Sequence, residues 1–396
     1  MDNSHSITKL LDQKHDEDFI ISTVKVNSLE EYKSLFVTGI SDEQMAVFAE
    51  NTPVGSSESD GRSDANVRQE IIKHVYGNTD LKSQDARMFL DALFPVDVQV
   101  MTGKDVVIST DRVIGPSSSP FVIKADTLTF DGGSLTVITT ALTIYAETLF
   151  ITQKTGSKKS YHIGIFGQTG DAGIPGTNGR GYDYPAQPGA ASSPLSPGIC
   201  GNAGSGGAGD NGNTGTTGGN GLNGKLGIAN FPATIHFKNL DPNIQQIILS
   251  TKSGEGGLGG IGGKGGDGQT GGTGGAGCYS GCEGTDGGGG GNGGDGGLGG
   301  NGGDGADGAD GNPIAVTLPE SGRGVLKVVT NSAAAGAGGL KGNGGEGGYH
   351  GPGGAAGKYK SAGPGGSAGG YGSDGKAGLD GKREGAPGTV TPHFLP

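Results

Sequence analysis

The feature that most constrains this chain is a glycine pattern of strict period three. Residues 256–277 read GGL GGI GGK GGD GQT GGT GGA G, and residues 290–311 read GGN GGD GGL GGN GGD GAD GAD G. Three residues per turn is the repeat of the polyproline II helix, which rises about 3.1 Å per residue and has no internal hydrogen bonds. Each of its backbone N–H and C=O groups therefore needs a partner from outside the helix. Glycine on two of the three edges lets neighbouring backbones come close enough to supply those partners. The third residue of each triplet lines the remaining edge. Leu258, Ile261 and Leu298 are predicted to face a core, and Lys264, Asp267, Asn292, Asp295, Asn301 and Asp304 to face solvent.

Two other readings of these tracts compete. Residues 167–179 and 372–381 have the G-X-Y form of collagen, but collagen is rich in proline and these tracts hold little. Glycine-rich sequence is also the usual composition of a flexible linker. A phase kept over seven consecutive triplets, twice, is more order than a linker needs, and favours a bundle of polyglycine-II helices.

Glycine also marks the internal boundaries. Of 88 glycines only nine fall in residues 1–163. Residues 1–95 read as a small α-helical domain. Ser28-Leu29-Glu30-Glu31 has the capping-box form, and Ser41 opens a second helix. Val67, Ile71, Ile72 and Val75 form an apolar stripe with Gly77 as its left-handed C-cap. A fourth helix is predicted over 81–93, stopped by Pro95. Residues 52–63 have the composition of a flexible linker.

From residue 96 to 163 the texture is β-branched with a seven-residue repeat. Leu128, Leu135, Leu142 and Leu149 fall in register, with Phe130, Val137, Ile144 and Ile151 two residues later. An inward pair at i and i+2 is one short strand face, and three such faces make one coil of a β-solenoid. Two later islands, 232–250 and 313–330, look like further coils, each followed by a glycine tract. The expected class is therefore mainly β/irregular: an N-terminal α-helical domain, a β-solenoid stem, and an inserted polyglycine-II bundle over 164–396.

The GGX triplets of 256–277 and 290–311 resemble those of the glycine-rich receptor-binding adhesins at the tips of T-even-type phage long tail fibres. That resemblance covers the glycine-rich half of the chain. It implies layers of packed polyglycine-II helices whose connecting loops recognise host surfaces.

The candidate sites are breaks in the glycine phase that carry aromatic and polar residues: Arg180, Tyr182 and Tyr184; Tyr279; Tyr349 and His350; Tyr359; and Tyr371. A tyrosine on a rigid scaffold offers a flat apolar face and a hydroxyl, which suits a sugar or a protein surface. Cys278 and Cys282 flank a turn that a disulfide would close. Asp295 and Asp304 sit in a partial match to the calcium-binding nonapeptide, but its large aliphatic positions are filled by Gly297 and Ala306. No metal and no cofactor are predicted.

Several functional classes drop out. A net charge of −12 without basic clusters argues against nucleic acid. No apolar run approaches the length of a membrane span. No phosphate-binding loop, HExxH or GxSxG motif occurs, so no catalytic set is named. The expected function is non-enzymatic surface recognition, as an adhesin or the binding component of a toxin. Its partners would be a cell-surface glycan or protein receptor, and a carrier engaged by the N-terminal helices. The alternatives are a coat or fibre subunit assembling through GGX edges, and a β-solenoid enzyme acting on polysaccharide. Residues 1–12 lack the basic and apolar regions of a secretory signal. An extracellular or virion-surface location would thus be reached by another route, and a cytoplasmic one also fits.

Overall fold

A computed structural model describes residues 20–37, 40–50, 62–152, 159–194, 203–279 and 283–396. Residues 1–12, nearly all of the linker and Cys282 lie outside these. After a first strand at Ile20–Val26 come four helices: α1 (Leu29–Phe36), α2 (Asp42–Glu50), α3 (Arg62–Tyr76) and α4 (Gln84–Leu93). Half of the predicted capping box forms at α1: the Glu31 N–H donates to Ser28 Oγ at 3.1 Å, but the Glu31 carboxylate accepts from the Asn27 N–H at 2.7 Å, one residue before the N-cap. Ser41 and Gln44 cap α2 reciprocally. At the end of α3 the left-handed residue is Asn78 (φ 51°) rather than Gly77. Gly77 is needed for close approach, since a Cβ there would lie 2.8 Å from the Ala49 nitrogen and the Lys73 carbonyl.

The strands form two sheets. One has seven strands in the order β1 (Ile20–Val26), β2 (Val96–Ile108), β4 (Phe121–Phe130), β6 (Leu142–Ile151), β8 (Ala233–Leu240), β10 (Ile314–Pro319), β12 (Val390–Leu395). The other has five, in the order β11 (Leu326–Asn331), β9 (Ile247–Lys252), β7 (Ile163–Phe166), β5 (Leu135–Ile138), β3 (Arg112–Ile114). All pairings are parallel except β1 on β2. After β1 the chain alternates between the sheets, and their inner faces share one core that includes Phe121, Leu128, Leu135, Leu142, Leu149, Ile165, Leu249 and Val316. The helices cover the opposite face of the seven-stranded sheet, where Phe48, Ile71, Val75 and Leu90 meet Val98, Val100, Val122 and Ala315. Buried Gln44 donates from Nε2 to the carbonyls of Val316 and Thr391, tying α2 to β10 and β12.

This arrangement corrects the expected class. The protein is an α/β fold, with a mixed sheet, a parallel sheet and four helices among the described residues; it is not mainly β/irregular, and the seven-residue repeat does not build a three-faced solenoid stem. The reason is local. Nothing between Phe121 and Phe130 turns the chain, so two successive repeats run on as one ten-residue strand, and pairing with β6 lapses only at Asp126 and Glu147. Asp131-Gly132-Gly133 does turn it, with Gly132 at φ 82°, and sends Leu135 to the other sheet. The helical reading of the N-terminus also missed β1, whose period-two valines pair with β2.

The glycine-rich sequence forms three out-and-back excursions. Each leaves a strand of the five-stranded sheet (β7, β9, β11) and returns to one of the seven-stranded sheet (β8, β10, β12). They give six tracts: tract 1 (167–192), tract 2 (206–228), tract 3 (254–277), tract 4 (284–311), tract 5 (333–357) and tract 6 (361–388). Neighbouring tracts exchange one backbone hydrogen bond per triplet. Gly170, Gly173, Gly176 and Gly179 donate to Glu255, Leu258, Ile261 and Lys264 at 2.7–2.8 Å, with tracts 1 and 3 parallel. Gly257, Gly260, Gly263 and Gly266 donate to Lys225, Leu222, Gly219 and Thr216 at 2.8 Å, with tracts 3 and 2 antiparallel. Outgoing tracts thus make one parallel layer and returning tracts another. The tracts pair within one chain, which removes the collagen reading.

Tracts 3 and 4 each have four neighbours and a single edge left for side chains. That edge faces outward, so Leu258, Ile261 and Leu298 are about half exposed rather than turned to a core. In several triplets the N–H on this outer edge is met by a side chain. Asn301 donates to Asn220 Oδ1, and Lys376 donates to Asn301 Oδ1, both at 2.8 Å. Asp295 and Asp304, weighed for calcium, accept from Gly370 and Leu379 in the same way. Where the bundle meets the sheets, buried Asn230 and Asn312 bond each other's backbone. No helix among the described residues is long and apolar enough to cross a membrane.

Two predictions follow from the tracts. A Cβ on Gly300 would overlap the Gly219 carbonyl, whereas one on Gly289 would have its nearest atom 3.8 Å away. Gly300→Ala is expected to cost about 2–3 kcal/mol and Gly289→Ala less than about 0.5 kcal/mol in a denaturant melt. The Glu346 N–H and Lys264 hold Asp267 below its ordinary value of 3.8, and Lys341 and the Gly344 N–H do the same for Asp374. A folded-state value below the unfolded one contributes stability above the unfolded value and loses it as pH falls. The melting temperature is expected to drop as pH is lowered through and below 3.8, and a flat acid profile would contradict the ladder.

Candidate functional site

Tracts 3 and 4, and tracts 5 and 6, are joined at the far end of the bundle, where the glycine phase breaks. The second of these turns is tight. The Lys360 N–H donates back to the Gly357 carbonyl at 3.2 Å, and Tyr359 takes the left-handed conformation at φ 56°, uncommon for a large side chain. The two turns are lashed together. The Gly284 N–H donates to the Lys358 carbonyl at 2.8 Å, the Ser361 N–H to Asp286 Oδ1 at 2.8 Å, and Lys360 Nζ pairs with Glu283 at 2.8 Å. That pairing raises the Lys360 pKa above its ordinary value. Buried Cys278 donates its N–H to Thr285 Oγ1 at 2.8 Å and is disulfide-bonded. Cys200 and the expected partner Cys282 are outside the described residues.

The result is an end surface with two outward rings. Tyr279 is 74% exposed and Tyr359 81%, and Lys358 Nζ lies 5.1 Å from the Tyr359 ring centre. Two phenol faces with hydroxyl tips, set among a cation and an ion pair, can stack on a flat apolar surface and hydrogen-bond at its rim.

The other predicted residues lie along the sides of the bundle. Arg180, Tyr182 and Tyr184 occupy a gap in tract 1, where bonding to tract 3 stops at Gly179 and resumes at Ala186. Gln269 of tract 3 fills the gap. Its Nε2 donates to the Tyr184 carbonyl at 3.1 Å, and its Oε1 accepts from the Asn213 N–H at 3.1 Å. Tyr349 and His350 are on tract 5, and the Tyr349 carbonyl accepts from the Gly271 N–H. Tyr184 and Tyr349 therefore flank tract 3 at one level. Tyr371 stands by itself on tract 6, 82% exposed. Of the eight candidates the structure gathers only Tyr279 and Tyr359 at the bundle end.

A second cluster escaped sequence reasoning. On the outer face of the seven-stranded sheet, Tyr145 stacks on His236 at 5.1 Å and 14°, and its hydroxyl donates to Glu147 at 2.9 Å. Lys238 pairs with Glu147 at 2.9 Å. Lys238 and the Tyr145 hydroxyl hold the Glu147 carboxyl low, and burial lowers the His236 imidazole. The cluster crosses β6 and β8, which a whole excursion separates in sequence, and only the signal of strand register could have found it. Among the described residues no group of three or more His, Cys, Asp or Glu could hold a metal ion.

No protein-family model, curated protein or solved structure matches this chain.

Reduction of the Cys278 disulfide is expected to act at the tip alone. Hydrogen exchange should speed up at the amides of Cys278, Gly284 and Thr285, while Gly263 and Gly300 in the interior tracts keep their protection. Equal acceleration at all five would show that the tip and tracts unfold as one unit.

Proposed function

We propose that this protein is a non-enzymatic surface-recognition protein, an adhesin or the binding component of a toxin, working outside the cell that makes it or on a virion. The end of the glycine bundle meets a cell-surface glycan or protein receptor, and the N-terminal helices engage a carrier. The observation that carries this reading is the pair Tyr279 and Tyr359, exposed on turns that hydrogen bonds, an ion pair and a disulfide hold in place. Binding residues on loops fixed by a rigid scaffold lose little entropy on meeting a partner. The resemblance of the GGX triplets to phage tail-fibre adhesins supports the same use of connecting loops.

The alternative of a coat or fibre subunit needs glycine edges left open for another chain. What weighs against it is the sequence of the two outermost tracts. Their triplets, GDA GIP GTN in tract 1 and GSD GKA GLD in tract 6, carry side chains on two edges out of three.

The test uses labelled full-length protein on a glycan array and on whole cells before and after protease treatment. Tyr279→Ala with Tyr359→Ala is expected to reduce binding at least about tenfold, the effect of losing two buried ring contacts, with an unchanged melting temperature. Tyr371→Ala serves as the control and should bind as the unaltered protein does. A double variant that binds equally well would remove the tip from the mechanism.

A further inference from the structure

The helical unit holds a cleft that plays no part in the tip chemistry. Its volume is about 480 Å³, within the range of sites that take small organic ligands. It lies where α1, α3 and α4 meet the turn before β4 and the junction of tract 2 with β8. Its α3 wall is formed by Arg68, Ile71, Ile72, Val75 and Tyr76, a spacing that puts all five on one helix face. At 1.5 Å per residue that wall runs about 12 Å from Arg68 to Tyr76.

Three observations fix the chemistry of an occupant. The lining is almost wholly apolar, and Arg68 is its one charged residue. The mouth stays apolar too, with Phe89, Leu93 and Ile228 each about two-fifths exposed or more. Exposed apolar side chains gathered at one opening mark a binding surface rather than a solvent channel. Opposite Arg68, at the other end of the α3 wall, the Tyr76 hydroxyl meets the Tyr32 hydroxyl at 3.2 Å, both buried. The cleft is also built in advance. On the β4 side the Ser117 N–H donates to Thr140 Oγ1 at 3.1 Å, and the Ser119 N–H to Ser117 Oγ at 3.0 Å.

We propose that this cleft binds an amphiphile with one unbranched alkyl chain and an anionic head, of the fatty-acid class. The head sits beside Arg68, and the chain lies along Ile71, Ile72 and Val75 toward the paired phenols. A sugar or nucleotide would meet too few donors and acceptors on these walls, and a cationic amphiphile would meet Arg68.

The experiment is calorimetric titration of the full chain with dodecanoate and, separately, with dodecyltrimethylammonium, both below their micelle concentrations. Dodecanoate is expected to bind at least about tenfold more tightly, the effect of one charge-assisted contact. Arg68→Gln, at an exposed position that does not disturb the fold, should bring the two ligands within about threefold of each other. Ser118→Trp, at the mouth, should weaken both while leaving the melting temperature unchanged. Absence of dodecanoate binding, equal affinity of the native protein for both ligands, or a preference for dodecanoate that survives Arg68→Gln would each overturn the proposal.

Discussion

A backbone N–H donated from one tract to the next, once in every triplet, is the interaction on which the outer half of this protein depends. An extended helix with three residues per turn cannot satisfy its own N–H and C=O groups, so it persists only where neighbours come within hydrogen-bonding distance. At 2.7–3.2 Å between nitrogen and oxygen, there is no room between adjacent backbones for a Cβ. Glycine is required by this contact, more than by any unusual dihedral angle; most tract glycines have φ values open to other residues. The conformational entropy that glycine loses on ordering is large. It is offset by many such bonds forming together, which makes the bundle an all-or-none assembly in which a single misplaced methyl is felt.

The same contact explains how triplet composition varies along the chain. A bare edge fits into the groove between two neighbouring tracts. Gly256 of tract 3 faces tracts 4 and 5, and Gly257 faces tract 1 while its N–H donates to Lys225 of tract 2. Tracts 3 and 4, with four neighbours each, therefore read GGX, while tracts 1 and 6, with two, read GXX. The recurring Asn and Asp have an equally specific cause. The N–H on the outer edge has no backbone acceptor, and a short amide or carboxylate from the adjacent parallel tract reaches it. A longer acid would overshoot, and an acid engaged this way has one oxygen committed already.

Much of this was legible in the residues, and the limits of legibility have physical causes. Period three shows that the tracts need partners, and the count of glycines per triplet tells how many; the direction and order of the partners depend on which strands the excursions join. Ser28 with Glu31, and the four register leucines, each report a local preference and were read as elements correctly. Their assembly was not, because Asp126 looks like a corner in the repeat and yet lies inside a continuous strand between Ala125 and Thr127. Gln44 caps α2 locally, and its bonds to β10 and β12 span more than 270 residues, beyond any local pattern. Gln269 did leave a signal. It replaces the second glycine of a GGX triplet at the level where tract 1 lets go, so a departure from glycine there marks a missing neighbour.

Register travels from the sheets into the bundle. In the seven-stranded sheet Ala233 of β8 pairs with Ile314 of β10, and the side-chain ladder from tract 2 to tract 4 keeps that same 81-residue offset at Asn220 and Asn301. In the other sheet Ile247 pairs with Leu326, and Asp267 meets Glu346 at the same 79-residue offset. Asn178 and Lys264 likewise keep the 86-residue offset of β7 and β9. Two slips of one residue occur among the described tracts: from 76 to 75 between tracts 4 and 6, where Lys382 and Arg383 both donate to Asp307, and from 85 to 84 in the backbone bonds between tracts 1 and 3, where Gly179 on Lys264 is followed by Ala186 on Thr270. Each tract is thus aligned by the strand it adjoins, and a residue gained or lost within it shifts every later triplet by one place against its neighbour. A change in length is absorbed where the phase breaks: in the gap of tract 1 at 180–185, at Lys382 and Arg383 of tract 6, and at the turns.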